Sequence, residues 1–290
     1  MKWHRSLRSS HLAPTVRLPS PQNLNQCCQQ LGVSPCLSKR KEQICGLLKG
    51  IETGAPESVA VVSQDRYIQH NPQTREGGEG LAALFKRLSQ ASPRVNIARI
   101  FADGDYVFGH TEYDFSSRRI GFEAFRFEGD YAVEHWDNIQ SRMGPNECGH
   151  SMVDGETKVA DLDKTEGNRD VVSRFVTEVL VGGQIDTIGD YVDAHSYTEQ
   201  NPRLADGLPS LNAALSAQPG DASVCIRYQK LHKLLAEGNF VLAACEGVRD
   251  GAQTAFYDLY RLGNGKIVEH WDTTEAIPPR TEWKNENGKF

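Results

Sequence analysis

One pentapeptide occurs twice in this chain, and its repetition constrains the fold more than any other feature. Residues 133–137 read Val-Glu-His-Trp-Asp, and the same five residues return unchanged at 268–272. The residues before them also correspond, because 122–127 align with 257–262 at the same spacing of 135 residues. Each copy predicts a β-hairpin. In the second copy Asn264-Gly265 separates the two predicted strands, and this dipeptide accepts the positive φ angles of a tight turn.

Two further blocks repeat in the same order. Residues 67–72 read Tyr-Ile-Gln-His-Asn-Pro and correspond to Tyr-Thr-Glu-Gln-Asn-Pro at 197–202, while 101–107 correspond to 235–241. An order kept over three blocks predicts a duplicated domain, and a unit of this length is too long for a solenoid repeat. The 290 residues of the chain are enough for two such domains.

The composition at the two ends predicts where the domains begin and end. The first 41 residues contain seven Lys and Arg and no Asp or Glu, which is typical of transit peptides and of disordered tails. The stretch after the first hairpin is polar and rich in Gly, as linkers are. We therefore expect a basic, disordered extension, a first domain, a linker, a second domain and a polar tail over a neighbour, at 1–40, 41–140, 141–166, 167–276 and 277–290.

Both predicted domains place helices before strands. Ile44, Leu47, Leu48 and Ile51 have the spacing of one amphipathic helix, and similar apolar stripes begin at Leu81, Val172 and Leu208. Alternating apolar residues and Gly-containing turns then predict four strands in each domain. The predicted strands cover 95–102, 106–115, 120–127, 131–140, 223–236, 239–249, 253–262 and 266–274. This order is typical of an α+β fold in which a curved antiparallel sheet wraps around helices.

Charge and composition exclude several classes of function. The net charge is −6, and the folded part has no basic stripe, which argues against nucleic acid as the main ligand. No apolar run approaches the roughly 18 residues of a membrane span. The seven cysteines form no Cys-x-x-Cys pair, so neither a disulfide framework nor a zinc ribbon is indicated. We expect a soluble cytoplasmic protein, with targeting to an organelle by the basic extension as the alternative.

With these blocks in place, the sequence resembles the SnoaL-like, or polyketide cyclase-like, proteins of the nuclear transport factor 2-like superfamily. The tandem form is indicated by His70-Asn71-Pro72, by Gly-His-Ser-Met-Val-Asp-Gly at 149–155 and by 256–261 running into the repeated pentapeptide. The resemblance implies two tandem cones, each with N-terminal helices packed in a curved antiparallel sheet. The superfamily contains cyclases, isomerases, hydrolases and binding modules, so the resemblance defines the fold more closely than the reaction.

Strand periodicity identifies which side chains of the second hairpin share a face. Phe256, Asp258, Tyr260 and Leu262 alternate with Tyr257, Leu259 and Arg261. If the turn pairs Asp258 with His270, then Asp258, His270 and Asp272 point together into the cone. A slip of one residue would place Glu269 and Trp271 there instead.

The resemblance extends to ketosteroid isomerase, in which the residue at the position of Asp258 is an acid kept protonated by apolar surroundings. The general base of that enzyme precedes a proline, at the position held here by Asn71 and Asn201. An amide cannot remove a proton, so the base would be His70 in the first cone, or Asp258, Asp272 or His270 in the second. Two departures from the family are Glu123, where Asp is usual, and Gln200, where His is usual.

These considerations predict an enzyme that performs acid–base chemistry without a cofactor on a small, largely apolar carbonyl compound. The reaction would be an aldol-type cyclisation or an isomerisation through an enolate. The catalytic candidates are Asp258, His270, Asp272, His70, Glu123 and His135. The substrate-binding candidates are Tyr67, Asn71, His110, Tyr197, Asn201 and Tyr260. The second cone is expected to be the active one, because its acid is Asp258 rather than the longer Glu123.

Alternative interpretations stay open at this point. One or both cones could bind a small molecule or form a dimer face without turnover, or the same carboxylates could activate water in a hydrolase. No metal is expected, since His70, His110, His135 and Glu123 have only a weak zinc-like spacing. Trp136 and Trp271 are interpreted as packing or dimer-face residues. The partner arrangements are a homodimer through sheet faces or intrachain pairing of the two cones.

Overall fold

The computed structural model describes residues 35–218, 221 and 225–290, and within them two five-stranded sheets follow one another along the chain. The predicted α+β fold of two tandem cones is confirmed. Most of the predicted basic extension, 1–34, lies outside the described residues. The first helix begins at Pro35, so residues 35–40 of that extension are helical. No helix of the described part is long and apolar enough to cross a membrane.

The first cone begins with helices and ends with a sheet in the order β1-β5-β4-β3-β2. Its helices are α1 (Pro35–Lys49), 3₁₀ turns at Gly50–Glu52 and Pro56–Val59, and α2 (Gly77–Ser89). Its strands are β1 (Ile68–Gln69), β2 (Arg94–Asp103), β3 (Tyr106–Asp114), β4 (Arg118–Glu128) and β5 (Tyr131–Ser141).

The second cone repeats this plan with a sheet in the order β6-β10-β9-β8-β7. Its helical elements are Leu162–Lys164 (3₁₀), α3 (Thr165–Arg174), a π-helical segment Phe175–Val181, Ile185–Thr187 (3₁₀), α4 (Ile188–Tyr191) and α5 (Leu208–Ser216). Its strands are β6 (Thr198–Glu199), β7 (Ile226–Glu237), β8 (Phe240–Arg249), β9 (Ala252–Gly263) and β10 (Lys266–Ala276). A last 3₁₀ turn covers Arg280–Glu282.

The short strands β1 and β6 were not predicted. Each pairs in parallel with the last strand of its cone, so Gln69 lies beside His135 and Glu199 lies beside His270. Both have only two residues, too few for an alternating pattern to be visible in the sequence. They matter because they bring a polar side chain next to each histidine of the repeated pentapeptide.

The second hairpin has the predicted turn but a different register. Asn264 and Gly265 have φ angles of 52° and 77°, as a tight hairpin turn requires. Asp258 pairs with Asp272, and His270 pairs with Tyr260, so the expected pairing of Asp258 with His270 is corrected by two residues. A shift of two residues preserves the face, and Asp258, His270 and Asp272 therefore still point into the cone.

The outer faces of the two sheets pack against each other. Trp136 and Trp271 are buried in this interface together with aromatic and aliphatic side chains of both sheets. Lys233 lies over the ring of Trp136 at 3.9 Å, and Arg99 lies over the ring of Trp271 at 4.1 Å. These two cations occupy corresponding positions of the repeat, so the interface is nearly symmetric.

A short motif follows the last strand of each cone and crosses to the other one. Residues 146–150 read Asn-Glu-Cys-Gly-His, and 285–289 read Asn-Glu-Asn-Gly-Lys. The Asn146 amide donates to the Glu199 carbonyl oxygen at 2.7 Å, in the second cone. The Asn285 amide donates to the Asn71 carbonyl oxygen at 2.7 Å, in the first cone. Each cone is thus capped by the segment that follows the other cone.

Candidate active site in the second cone

Four ionisable side chains meet on the inner face of the second sheet. Asp258 comes from β9, His270 and Asp272 from β10, and Glu199 from β6. All four are buried, with Glu199 and Asp258 exposed by 0% and 1%. Buried charges need partners or a function to offset their desolvation.

His270 lies between two carboxylates. Its Nδ1 is 2.9 Å from Glu199 Oε1, and its Nε2 is 3.1 Å from Asp258 Oδ1. Tyr260 stacks on the imidazole at 4.9 Å between centroids. Burial alone would lower the pKa of His270, but the charges of Glu199 and Asp258 raise it well above the usual value. His270 is therefore held in a fixed orientation between two carboxyl groups that favour its charged form.

Glu199 holds this group together, although the sequence analysis did not name it. The Tyr197 hydroxyl donates to Glu199 Oε2 at 2.6 Å, and the Asn201 backbone N–H donates to Oε1 at 2.9 Å. The Asn201 side-chain amide donates to Asp272 Oδ2 at 2.9 Å. Tyr197 and Asn201, expected to bind substrate, thus position the acids. The alternation of Tyr197, Glu199 and Asn201 on one face was the signal that could have identified Glu199.

Two carboxyl oxygens of this group are left without partners. Asp258 Oδ2 and Asp272 Oδ1 are buried and form no hydrogen bond within the described part of the chain. Their residues pair directly across β9 and β10, and both line an inner cavity of about 40 Å³ whose walls include Phe175 and Phe256. An unsatisfied buried acceptor costs roughly 1 to 3 kcal/mol, so two on residues that line the same cavity indicate a function.

Asp272 is the acid best suited to exchange protons near neutral pH. Burial raises the pKa of Asp272 to about 7, and the carboxylates of Asp258 and Glu199 act in the same direction against the charge of His270. Asp272 also lines an outer chamber of about 400 Å³ that adjoins the inner cavity. A group with a pKa close to the working pH is the most effective general acid or base.

The first cone contains a related group around a cavity of about 240 Å³. His135 Nε2 is 2.8 Å from Glu123 Oε2, and His135 Nδ1 is 3.0 Å from Gln69 Oε1. Tyr113 donates its hydroxyl to Glu123 at 2.6 Å. Tyr67 lines the cavity, and no described residue bonds its buried hydroxyl. Gln69 replaces Glu199 here, so the histidine has one carboxylate neighbour instead of two.

Asp137 corresponds to Asp272 but has a cation beside it. Asn71 donates its side-chain amide to Asp137 at 2.7 Å, and the buried Lys289 Nζ lies 3.4 Å from Asp137 and 2.6 Å from Glu275. Burial would lower the pKa of Lys289, but the two carboxylates raise it, so the ammonium group stays charged. The corresponding His150 bonds Asp206 at 3.1 Å, which leaves Asp272 without a paired cation.

Two of the predicted site residues, His70 and His110, line none of the cavities described above. His70 Nε2 is 2.9 Å from Glu134, and the ring stacks on Trp136. His110 is buried 3.2 Å from an Arg99 nitrogen. His70 directly follows Gln69, and adjacent strand residues point to opposite faces. The four residues considered for zinc, His70, His110, His135 and Glu123, are thus not brought together.

A different group of three possible metal ligands lies in the first cone. Glu123, His135 and Asp137 have ligand atoms within 4.8 Å of one another. The ammonium group of Lys289 already places a positive charge beside Asp137.

Comparison with known proteins gives only solved structures of low similarity. No protein-family model and no curated protein matches the chain. An NTF-2 like protein of unknown function from Burkholderia xenovorans LB400 is 19% identical with a TM-score of 0.34, over 42% of this chain and 97% of that one. TsrD from Streptomyces laurentii is 15% identical with a TM-score of 0.33, over 37% of this chain and 91% of that one.

An LEH-like epoxide hydrolase from M. tuberculosis is 19% identical with a TM-score of 0.31, over 39% of this chain and 85% of that one. These values establish no activity. The order of helices and strands itself defines the fold, and the protein consists of two tandem α+β cones.

Proposed function

We propose that the second cone is an acid–base enzyme that acts, without a cofactor, on a small carbonyl compound through an enolate. The observation that carries this proposal is the pair of unpartnered oxygens, Asp258 Oδ2 and Asp272 Oδ1, on directly paired residues in one cavity. One acid can serve as the base while the other donates to the developing oxyanion.

The reaction balances with the residues present. The ionised Asp272 takes a proton from the carbon next to the carbonyl, and the C–H electron pair moves into the enolate double bond. The carbonyl oxygen gains the negative charge and is stabilised by the proton of a neutral Asp258, carried on the Oδ2 that no other described residue bonds, while Oδ1 faces His270 Nε2. Return of the proton from Asp272 to another carbon gives isomerisation. Attack of the enolate carbon on a second carbonyl forms the C–C bond, and the new alkoxide oxygen takes the proton back from Asp272, which gives an aldol-type cyclisation.

The charges of the group support the presence of a mobile proton. Three carboxyl groups, Glu199, Asp258 and Asp272, surround one imidazole in a buried site. A single imidazolium cannot neutralise three carboxylates, and a low-dielectric interior disfavours the excess negative charge. Burial is the main cause of the raised pKa of Asp272, and the charges of Asp258 and Glu199 add to it. The apolar side chains of the inner cavity favour a largely apolar substrate.

The first cone is proposed to bind a ligand without turnover. Its counterpart of the base, Asp137, has the ammonium group of Lys289 beside it, which opposes proton uptake. Gln69 in place of Glu199 also removes one carboxylate from the histidine. The alternative of a binding module, considered for both cones, is thus retained here for the first cone alone.

The test of the proposed function is hydrogen–deuterium exchange of ethyl acetoacetate, a β-dicarbonyl compound, followed by NMR in deuterated water. We expect the protein to exchange the acidic C–H protons faster than buffer alone does. A binding module would shift the resonances of the probe without exchange. That second result would contradict the proposed enzyme.

Replacing Asp258 with Asn should reduce the exchange rate by at least about tenfold, because the amide keeps the shape but cannot donate a carboxyl proton. The matched control is Glu123→Gln, which changes the corresponding acid of the first cone and should have little effect. If Glu123→Gln proved the more damaging of the two, the active cone would be the first.

The exchange rate should depend on pH through Asp272. A base is active only when ionised, so the rate should rise about tenfold per pH unit below pH 7 and level off above it. The measurement is the exchange rate from pH 5 to 9, corrected for the buffer reaction. A rate that falls as pH rises through 7 would show that Asp272 acts as an acid instead.

A further inference from the structure

The outer chamber of the second cone contains two arginines close to the proposed base. Arg203 and Arg249 line this chamber of about 400 Å³ together with Asp272 and Thr274. Arg249 is half-buried and donates from Nη1 to the Thr274 hydroxyl at 2.6 Å. This bond directs part of the guanidinium toward β10, the strand that also carries Asp272.

Within the described part of the chain, neither Arg203 nor Arg249 forms an ion pair. The remaining residues, 1–34, 219, 220 and 222–224, contain no Asp or Glu that could supply one. Burial lowers the pKa of Arg249, and the nearby charge of Arg203 lowers it further, against the opposing charges of Asp272 and Asp250. Two like charges placed close together without a carboxylate partner are unfavourable. Such an arrangement is favourable when an anion binds between them.

Comparison with the first cone shows that the fold does not require these arginines. Arg203 corresponds to Gln73 and Arg249 to Phe115, at the repeat spacings of 130 and 134 residues. Both Gln73 and Phe115 line the cavity of the first cone, so the positions face a cavity in both copies. The paired guanidinium groups are therefore a property of the second cone alone.

We propose that Arg203 and Arg249 bind a carboxylate group of the substrate in the outer chamber, so that the second cone acts on a small organic acid bearing a carbonyl. This inference rests on the proposed function and deepens it. The two arginines and the ionised Asp272 sum to one positive charge, which one carboxylate neutralises. A guanidinium group also matches a carboxylate with two parallel hydrogen bonds.

The register of β10 sets the approximate length of the substrate. Thr274, which holds Arg249, lies two residues beyond Asp272 on the same face. Two residues of a strand span about 7 Å. The carboxylate should therefore lie about 7 Å from the carbon that loses its proton.

The experiment compares 2-naphthoate with 2-naphthamide, its neutral analogue of the same shape, by isothermal titration calorimetry with the full chain at pH 7. We expect the carboxylate to bind at least about tenfold more tightly than the amide. Arg249→Met and Arg203→Met should each remove most of this preference, while Arg249→Lys should keep part of it. Inorganic phosphate should compete only weakly.

Arg87→Met is the control, because Arg87 is an exposed arginine that lines the cavity of the first cone. It should leave the preference for naphthoate unchanged. Circular dichroism of each variant separates loss of binding from loss of folding. Two results would overturn the proposal. One is equal binding of the amide and the carboxylate. The other is a preference for the carboxylate that survives Arg203→Met and Arg249→Met and disappears in Arg87→Met.

The anion site and the proposed acid–base function can be refuted independently of each other. Naphthoate binding needs no turnover and should persist in Asp272→Asn. If the arginines bind naphthoate but ethyl acetoacetate shows no exchange, the acid–base function fails and the anion site stands. If exchange occurs and naphthoate binds no better than the amide, the anion site fails and the acid–base function stands.

Discussion

Asp272→Asn should slow the exchange of ethyl acetoacetate by at least about a hundredfold, because an asparagine amide cannot accept the proton that a general base removes. Asn201 can still donate to the new amide oxygen, so the shape of the site is retained. The matched variant is Asp137→Asn at the corresponding position of the first cone. It should change the rate by less than about twofold, since the first cone is not expected to catalyse exchange.

The same substitution should stabilise the protein at alkaline pH. Because the pKa of Asp272 is raised to about 7 in the folded state, the folded chain binds more protons than the unfolded chain between about pH 4 and 7. Stability contributed by Asp272 therefore falls as pH rises through this window. Asn removes the cost, which is on the order of 4 kcal/mol above pH 7.

The measurement is the free energy of unfolding of wild type and Asp272→Asn at pH 5 and pH 8. The advantage of the variant should be greater at pH 8. Loss of activity with a gain of stability would identify Asp272 as a group kept for chemistry at a structural cost. A variant that lost both activity and stability would instead show that Asp272 is part of the framework of the cone.

Lys289→Met should destabilise the protein by about 3 to 5 kcal/mol, because removing one partner of a buried ion pair leaves the other charge uncompensated. Here two acids, Asp137 and Glu275, would lose their cation inside the structure. Lys284→Met is the matched control, since Lys284 lies in the same segment but its side chain is exposed. That control should change stability by less than about 0.5 kcal/mol.

Urea unfolding followed by circular dichroism measures both variants. Adding Asp137→Asn to Lys289→Met should recover part of the loss, because the second change removes one of the unpaired charges. If Lys289→Met had the same midpoint of urea unfolding as wild type, Lys289 of the tail would not stabilise the first cone. Both Lys variants are also expected to keep the exchange activity of the second cone.

The strands were predictable because their signals are local. The Asn264-Gly265 turn and the alternation around Asp258 specify one hairpin without information from the rest of the chain. The face on which Asp258, His270 and Asp272 meet followed from the same alternation, and an error of two residues in register left it unchanged. Period-two patterns thus determine faces more reliably than pairings.

The remaining parts of the site depend on contacts that alternation in one segment does not show. His70 was favoured because its side chain titrates, yet the two-residue strand β1 points Gln69 inward and His70 outward. Lys289 reaches Asp137 across 152 residues of sequence. The repeat of Asn-Glu-x-Gly at 146–149 and 285–288 was not used in the sequence analysis, although it could have indicated where the tail binds.

The crossing of the two capping segments also has an evolutionary meaning. Asn146 binds the cone that follows it, and Asn285 binds the cone at the start of the chain. A single-cone ancestor could have made both contacts only as a homodimer whose subunits exchanged their C-terminal ends, a known route to dimers. Gene fusion would have converted that exchange into contacts within one chain. After fusion the two copies could also have mutated independently, so that the second cone acquired Arg203 and Arg249 while the tail that caps the first cone acquired Lys289.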